Sequence, residues 1–232
     1  MRSDTVPESS LRRGSSAPSS RRLAAWISFV ALISAIGYAG RFASGRPDRN
    51  ALYMWSTAVG ELVVYLVIFA VTLAITGSHR ELLALRRPAS WRRALLLCLL
   101  LLAIVYTIIA VIDPYLHGGR EQGLTPTGWE PRHAAAYGAN FVVVAGIAPF
   151  CEELLFRGLG YSLFERFGRW PTILAIGISF GLYHGLVQAL PELALFGCAL
   201  AWLRSQTRSV YPGMLLHATF NALALIAAVT VR

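Results

Sequence analysis

The sequence contains no lysine and few charged residues of any kind. Aspartate, glutamate and arginine together make up 14% of the 232 residues, about half the share usual in a soluble domain, while hydrophobic residues make up 56%. The formal net charge of +9 therefore comes from arginine alone. Because these arginines lie in short segments between apolar runs, we interpret them as markers of cytoplasmic loops and predict no nucleic-acid partner.

Cysteine is also scarce, and it follows no motif. Cys98, Cys151 and Cys198 lie inside apolar runs, with no spacing that indicates a disulfide framework or a zinc motif. We expect small buried hydrophobes rather than nucleophiles, since a reactive thiolate needs a partly hydrated, electropositive setting. The sequence also lacks His-Glu-x-x-His, Gly-x-Gly-Asp, and a Gly-x-Ser with a suitable His, which argues against three well-known types of intramembrane protease.

Apolar runs long enough to cross a bilayer, at about 20 residues each, occupy most of the chain. They predict an all-α fold, a polytopic membrane helix bundle of about seven transmembrane helices in one membrane domain. Residues 1–22, rich in serine, proline and arginine, are expected to be a disordered cytoplasmic tail. Residues 23–132 would form N-terminal transmembrane helices and residues 133–232 a second set, with spans predicted at 23–40, 51–76, 94–112, 133–167, 172–188, 192–203 and 212–231, the third ended by Asp113-Pro114.

The distribution of arginine predicts the orientation of these spans. The N-terminal tail and the segments 78–93, 157–170 and 204–208 are rich in arginine, while the loop at 41–50 argues weakly the other way. The positive-inside rule then predicts an integral membrane protein with its N-terminus in the cytoplasm. The arginine-rich, lysine-free composition leads us to expect a bacterial cytoplasmic membrane. The length of the fourth span places Arg157 and the charged residues after it near the cytoplasmic interface.

Small residues repeat at helical spacing in two of the later spans. Gly177, Gly181 and Gly185 are four residues apart in the fifth predicted span, and Gly197 and Ala201 are four apart in the sixth. Such repeats allow two helix backbones to approach closely. We therefore predict that these spans pack against neighbours through smooth faces.

Two adjacent acids, Glu152 and Glu153, stand inside an otherwise apolar run. An ionised side chain at bilayer depth costs at least about 2.5 to 3.5 kcal/mol, so it is either paired or used. Glu153 and Arg157 are four residues apart and share a helix face, which predicts an ion pair. Glu152 is rotated by about 100° from Glu153 and needs a partner on another helix. We interpret Glu152 as the working carboxylate of an intramembrane hydrolase.

Three further polar side chains, His184, His217 and Asn221, lie in the last apolar runs. His217 and Asn221 are four residues apart, so they share a face. Amide hydrolysis needs a base for water, donors for the oxyanion and an acid for the leaving nitrogen. Glu152 can be the base, with a histidine helping to hold the water, while His217 and Asn221 offer N–H donors. The Glu153–Arg157 pair would fix the helix that carries Glu152.

The order Glu-Glu-x-x-x-Arg, Phe-x-x-x-His, His-x-x-x-Asn on successive helices resembles the CPBP family of intramembrane proteases. That family groups type II CAAX prenyl endopeptidases with Abi, bacteriocin-processing and lysostaphin-resistance-protein-A-like proteins. The resemblance covers about residues 140–228 and implies that residues 133–232 are CPBP-like catalytic helices. It implies a catalytic set of Glu152, Glu153, Arg157, His184, His217 and Asn221.

The resemblance leaves the cofactor as either none or zinc, because the family is described both as metalloproteases and as glutamate-dependent proteases. Glu152, His184 and His217 would be enough ligands for Zn²⁺ with one open position. Asn221 is a poor zinc ligand and a good oxyanion donor, which favours the metal-free scheme.

The expected function is that of an endopeptidase acting on a membrane-associated protein or peptide within the bilayer. Two other classes remain: a non-catalytic immunity or scaffold protein of the same fold, and a small transporter whose intramembrane acids carry protons or ions. No internal repeat favours transport. Glu61, an acid inside the second span, can either join the active site or satisfy a polar group of a neighbouring helix.

Overall fold

The chain is helical apart from turns and short loops in the residues that the computed structural model describes, which are 20–44, 48, 50–121, 126 and 128–230. These residues form no strand, so the predicted all-α class is confirmed. The predicted tail lies outside them, except that the first helix already begins at Ser20. Seven long helices run through the described part: α1 Ser20–Ser44, α2 Trp55–Thr76, α3 Trp91–Leu116, α4 Pro131–Phe167, α5 Arg169–Tyr183, α6 Leu190–Thr207 and α7 Tyr211–Thr230.

Five of these helices, α1, α2, α3, α4 and α7, are long and apolar enough to cross a membrane. The other two are shorter or more polar: α5 has 15 residues, and α6 has 18 residues with Glu192 and Arg204 buried within it. The prediction of an integral membrane protein with a bundle of about seven helices is confirmed.

The helix α4 lies at the centre of the bundle. In its most apolar window 44% of the residues are buried, against 11% to 22% in the other four spanning helices. Its run from Leu154 to Leu159 is enclosed on all sides. The indole N–H of Trp26 in α1 donates to the carbonyl of Leu155 at 2.9 Å, and the Trp26 ring lies directly against Gly160. The helix that carries both acids is therefore the most enclosed of the five spanning helices.

The backbones of α5 and α6 approach each other closely at the small residues, as the repeat predicts. A Cβ added to Gly177 would lie 2.6 Å from the backbone nitrogen of Cys198, and one added to Gly197 would lie 2.7 Å from the carbonyl oxygen of Gly177. Gly185 lies beyond the end of α5 with φ of +64°, where it packs against Gly37 of α1.

Two predicted helix ends are wrong. α3 continues through Pro114 to Leu116, because a proline removes one backbone hydrogen bond and only a few residues of helix follow it. α5 ends at Tyr183 rather than at residue 188, so His184 is the residue that caps the helix. Arg157 has no exposed surface in the bundle, and its depth relative to the cytoplasmic interface stays a prediction.

The contact between α5 and α6 predicts the effect of a single added methyl group. Gly177→Ala should lower the free energy of unfolding by about 1 to 3 kcal/mol, since the two backbones must separate to admit it. The thermal midpoint in detergent micelles measures this. Gly60→Ala in α2 is the matched control: its Cβ meets nothing within 4 Å, so helix propensity should raise stability by about 0.5 to 1 kcal/mol. Equal midpoints for the two variants would contradict this packing.

Candidate active site

A cavity of about 290 Å³ lies between α2, α4, α5, α6 and α7. Four of the six predicted site residues line it, from three different helical elements: Glu152, His184, His217 and Asn221. The other two, Glu153 and Arg157, are completely buried behind its wall. Groups that are up to 69 positions apart in the sequence, from 152 to 221, therefore meet at one hollow.

Glu152 presents its carboxylate to this cavity while the rest of the residue is buried. The hydroxyl of Tyr65 in α2 donates to Oε1 at 3.0 Å. The other oxygen, Oε2, lies 3.7 Å from Nε2 of His217, which is longer than a hydrogen bond. One oxygen of Glu152 is therefore occupied, and the other is free to interact with a molecule in the cavity.

Glu153 has the opposite surroundings, although it is the next residue. Its Oε1 accepts hydrogen bonds from Nη1 of Arg157 at 2.9 Å and from Nδ1 of His217 at 3.2 Å. The second guanidinium nitrogen, Nη2, donates to the carbonyl of Gly197 at 3.0 Å, and the guanidinium carbon lies 4.3 Å from the ring centre of Phe180. The predicted ion pair is thus formed, and it connects α4 to α5, α6 and α7.

Each histidine is held through Nδ1, which leaves Nε2 for the cavity. Nδ1 of His184 lies 2.8 Å from the carbonyl oxygen of Phe180, and because a carbonyl can only accept, this nitrogen carries the proton. Nδ1 of His217 donates in the same way to Glu153. In a neutral imidazole the lone pair is then on Nε2, where it can accept a proton from water.

The side chain of Asn221 replaces a hydrogen bond that is missing from the backbone of α4. Residues Val143–Ile147 form a π-turn, in which the Ala148 N–H bonds to the carbonyl of Val143. The next nitrogen in that register belongs to Pro149, which has no N–H, so the carbonyl of Val144 receives no backbone donor. The side-chain amide of Asn221 donates to this carbonyl at 2.8 Å. Since that nitrogen carries two hydrogens, one N–H remains for the cavity.

The loop that follows His184 is fixed by an acid that sequence reasoning missed. Glu121, in the single helical turn Gly118–Glu121, pairs with Arg41 of α1 at 2.9 Å. Its two carboxylate oxygens also accept the first free N–H groups before α6 at 3.0, 2.6 and 2.9 Å, from Val187, Gln188 and Ala189. A carboxylate at a helix N-terminus is electrostatically favourable, so this contact holds the end of the loop that precedes α6.

Sequence reasoning also missed Tyr65, and it allowed two roles for Glu61, in the active site or in contact with a neighbouring helix. Both line the cavity from the same face of α2, one helical turn apart. The position of Glu61 as the only charged residue of that apolar helix was a usable signal. Tyr65 gave none, because a tyrosine in a membrane helix is ordinary.

The proposed zinc ligands do not form a ready metal site. Across the described part of the chain, no three His, Cys, Asp or Glu side chains converge closely enough to hold a metal ion. Glu152, His184 and His217 share the cavity, but their donor atoms are not arranged around one point. The arrangement does not fit a resident zinc ion, and the hydrolysis proposed for this cavity uses no metal.

The part of the chain that holds these residues is similar to a known protein family. Residues 135–223 match the Rce1-like family. Its description is type II CAAX prenyl endopeptidase Rce1-like, and the matched segment contains all six predicted site residues. The resemblance to the CPBP family is thereby confirmed. No curated protein and no solved structure matches the chain.

The Rce1-like segment begins in α4 and ends in α7, so it includes residues from four of the five helices that line the cavity. Its match supports the fold of a CAAX-type intramembrane protease and, in general terms, a peptidase. The helices α1, α2 and α3 precede the segment, yet α2 supplies two residues of the cavity wall.

Because Glu153 and Arg157 are buried together, removal of the arginine alone should cost more stability than removal of both charges. Arg157→Met leaves Glu153 charged and buried with His217 as its remaining partner, which should cost about 3 to 5 kcal/mol of stability. The double variant Glu153→Gln with Arg157→Met buries no unpaired charge and should lose less. Reversible unfolding in mixed micelles of rising sodium dodecyl sulfate measures both.

The control for this comparison is Arg169→Met at the exposed start of α5, which should change stability by less than about 0.5 kcal/mol. A double variant as unstable as Arg157→Met alone would show that the guanidinium acts through packing and not through its charge.

Proposed function

We propose that the protein is an intramembrane endopeptidase that hydrolyses a peptide bond of a membrane-associated protein or peptide. The observation that supports this most directly is the cavity at which Glu152, His184, His217 and Asn221 meet. We place the enzyme in the cytoplasmic membrane of a bacterial cell, with its N-terminus in the cytoplasm, on the distribution of arginine alone.

His217 takes part in the proposed reaction through Nε2. Its Nδ1 is already held by Oε1 of Glu153 at 3.2 Å, so Nε2 is the ring nitrogen left for the cavity. With a proton on both ring nitrogens, His217 keeps its contact with Glu153 and offers Nε2–H as a donor.

Glu152 is the general base of the proposed reaction. A water molecule in the cavity gives its proton to the free oxygen Oε2, and the resulting hydroxide attacks the carbonyl carbon of the peptide bond. His184 helps to hold this water through Nε2, because Nδ1 is already committed to Phe180. Because the hydroxyl of Tyr65 already donates to Oε1, Oε2 is the oxygen that accepts the proton of the water.

The oxyanion that forms would be stabilised by N–H donors of α7. Nε2–H of His217 and the second N–H of Asn221 are on the same face of that helix, four residues apart. The carbon–nitrogen bond then breaks as Glu152 returns its proton to the leaving nitrogen. The products are a carboxylic acid and an amine, and Glu152 is ionised again.

Glu152→Gln tests the function directly. The amide cannot accept the proton of water, so cleavage should fall at least about 100-fold while the fold is retained. The assay uses purified protein in liposomes with a farnesylated C-terminal CAAX peptide, its unprenylated twin and a set of single-span peptides, with products read by mass spectrometry. An unchanged rate in Glu152→Gln would contradict the proposal and favour a scaffold; proton flux without cleavage would favour a transporter.

Metal removal provides the second test. The metal-free scheme predicts that dialysis against a chelator, followed by assay in metal-free buffer, leaves the rate within about twofold, because no step requires a Lewis acid. The control adds Zn²⁺ back to the dialysed protein. Loss of the rate on dialysis with full recovery on Zn²⁺ would instead support the metalloprotease alternative with Glu152, His184 and His217 as ligands.

A further inference from the structure

The strongest unassigned contact at the cavity comes from α2, which precedes the matched segment. The hydroxyl of Tyr65 donates to Oε1 of Glu152, and Glu61 lines the same cavity one turn earlier. Tyr65 and Glu61 are therefore candidates for work on the reacting carboxylate itself.

The packing of α2 fixes which of its faces meets α4. Ile68 has no exposed surface, and the rings of Phe69 and Phe150 have centroids 5.8 Å apart. Tyr65 lies one turn before Phe69 on that face and Glu61 one turn before Tyr65. The contact with Glu152 thus follows from the register of two packed helices and not from a mobile side chain.

Tyr65 and Glu61 act on Glu152 in opposite senses. A hydroxyl can donate to the ionised carboxylate and favours it, whereas a neighbouring negative charge disfavours it. Glu61 lines the same cavity, and among the described residues Glu152 is the charged group that acts on it. The other titratable or charged groups that surround Glu152 are Cys151, Glu153 and Arg157 of α4, Tyr183 and His184 at the end of α5, and His217 of α7.

We infer that Tyr65 is a positioning residue, which directs Oε2 of Glu152 to the water. The charge of Glu61 opposes the effect of the Tyr65 hydroxyl on Glu152. The catalytic site is therefore incomplete without α2. This inference rests on the proposed function. It assigns a role in the reaction to a helix outside the Rce1-like segment.

The test is the pH dependence of kcat/KM for four proteins in liposomes: the wild type, Tyr65→Phe, Glu61→Gln and Tyr137→Phe. Tyr65→Phe removes one hydroxyl and should lower kcat/KM about tenfold or more, with the acid limb of the profile moved to higher pH by about one unit. Glu61→Gln removes a repelling charge and should move the acid limb to lower pH. A purely structural role would not move the two limbs in opposite directions.

Tyr137→Phe is the matched control, since it also removes a buried tyrosine hydroxyl, one that donates to the carbonyl of Leu225 away from the cavity. It should leave the acid limb in place. An independent measurement, which needs no substrate, is the infrared band of the protonated Glu152 carboxyl, obtained as the difference from the spectrum of Glu152→Gln. In Tyr65→Phe this band should appear at higher pH than in the wild type.

The outcomes separate this inference from the proposed function. If the wild type cleaves, Glu152→Gln does not, and both Tyr65→Phe and Glu61→Gln keep the wild-type acid limb and infrared titration, the inference is wrong and the function stands. If Glu152→Gln cleaves as fast as the wild type, both are wrong. A shift of the acid limb in the same direction for both variants would also overturn the inference.

Discussion

A guanidinium with no access to water determines the arrangement at the centre of this bundle. Arg157 forms an ion pair with Glu153, donates to the carbonyl of Gly197 and lies over the ring of Phe180. Neither Glu153 nor Gly197 can move away without leaving a charge or a carbonyl unsatisfied in apolar surroundings. The relative positions of α4, α5 and α6 are therefore fixed by polar contacts as much as by packing.

The central helix is irregular where it meets its neighbours. Two π-turns, Val143–Ile147 and Leu154–Gly160, flank the segment with the two acids, and carbonyls within them accept side-chain donors from other helices. Asn221 donates to Val144, Trp26 to Leu155 and, at 3.1 Å, Arg204 to Arg157. Each unusual turn thus becomes a point of attachment, which is how irregular backbone is tolerated inside a membrane protein.

The sequence could predict what depends on local spacing and could not predict what depends on distant packing. Glu153 and Arg157 are four residues apart, so their pairing follows from helix geometry alone. The complete burial of Arg157 does not follow from its position in the sequence, because it depends on α5 and α6, which cover this part of α4. The contact of His217 with Glu153 and that of Tyr65 with Glu152 join residues 64 and 87 positions apart, and no local pattern encodes either.

Two adjacent carboxylates with different surroundings can do different work. Glu153 has one oxygen bonded to both an arginine and a histidine and the other enclosed against Gly213, so it has no route to a substrate. Glu152 has one oxygen held by a tyrosine and the other beside the cavity. Exchange of the two roles would require α4 to rotate by about 100°, which would pull Arg157 away from Gly197. The fixed position of the structural carboxylate is therefore what leaves its neighbour available for chemistry.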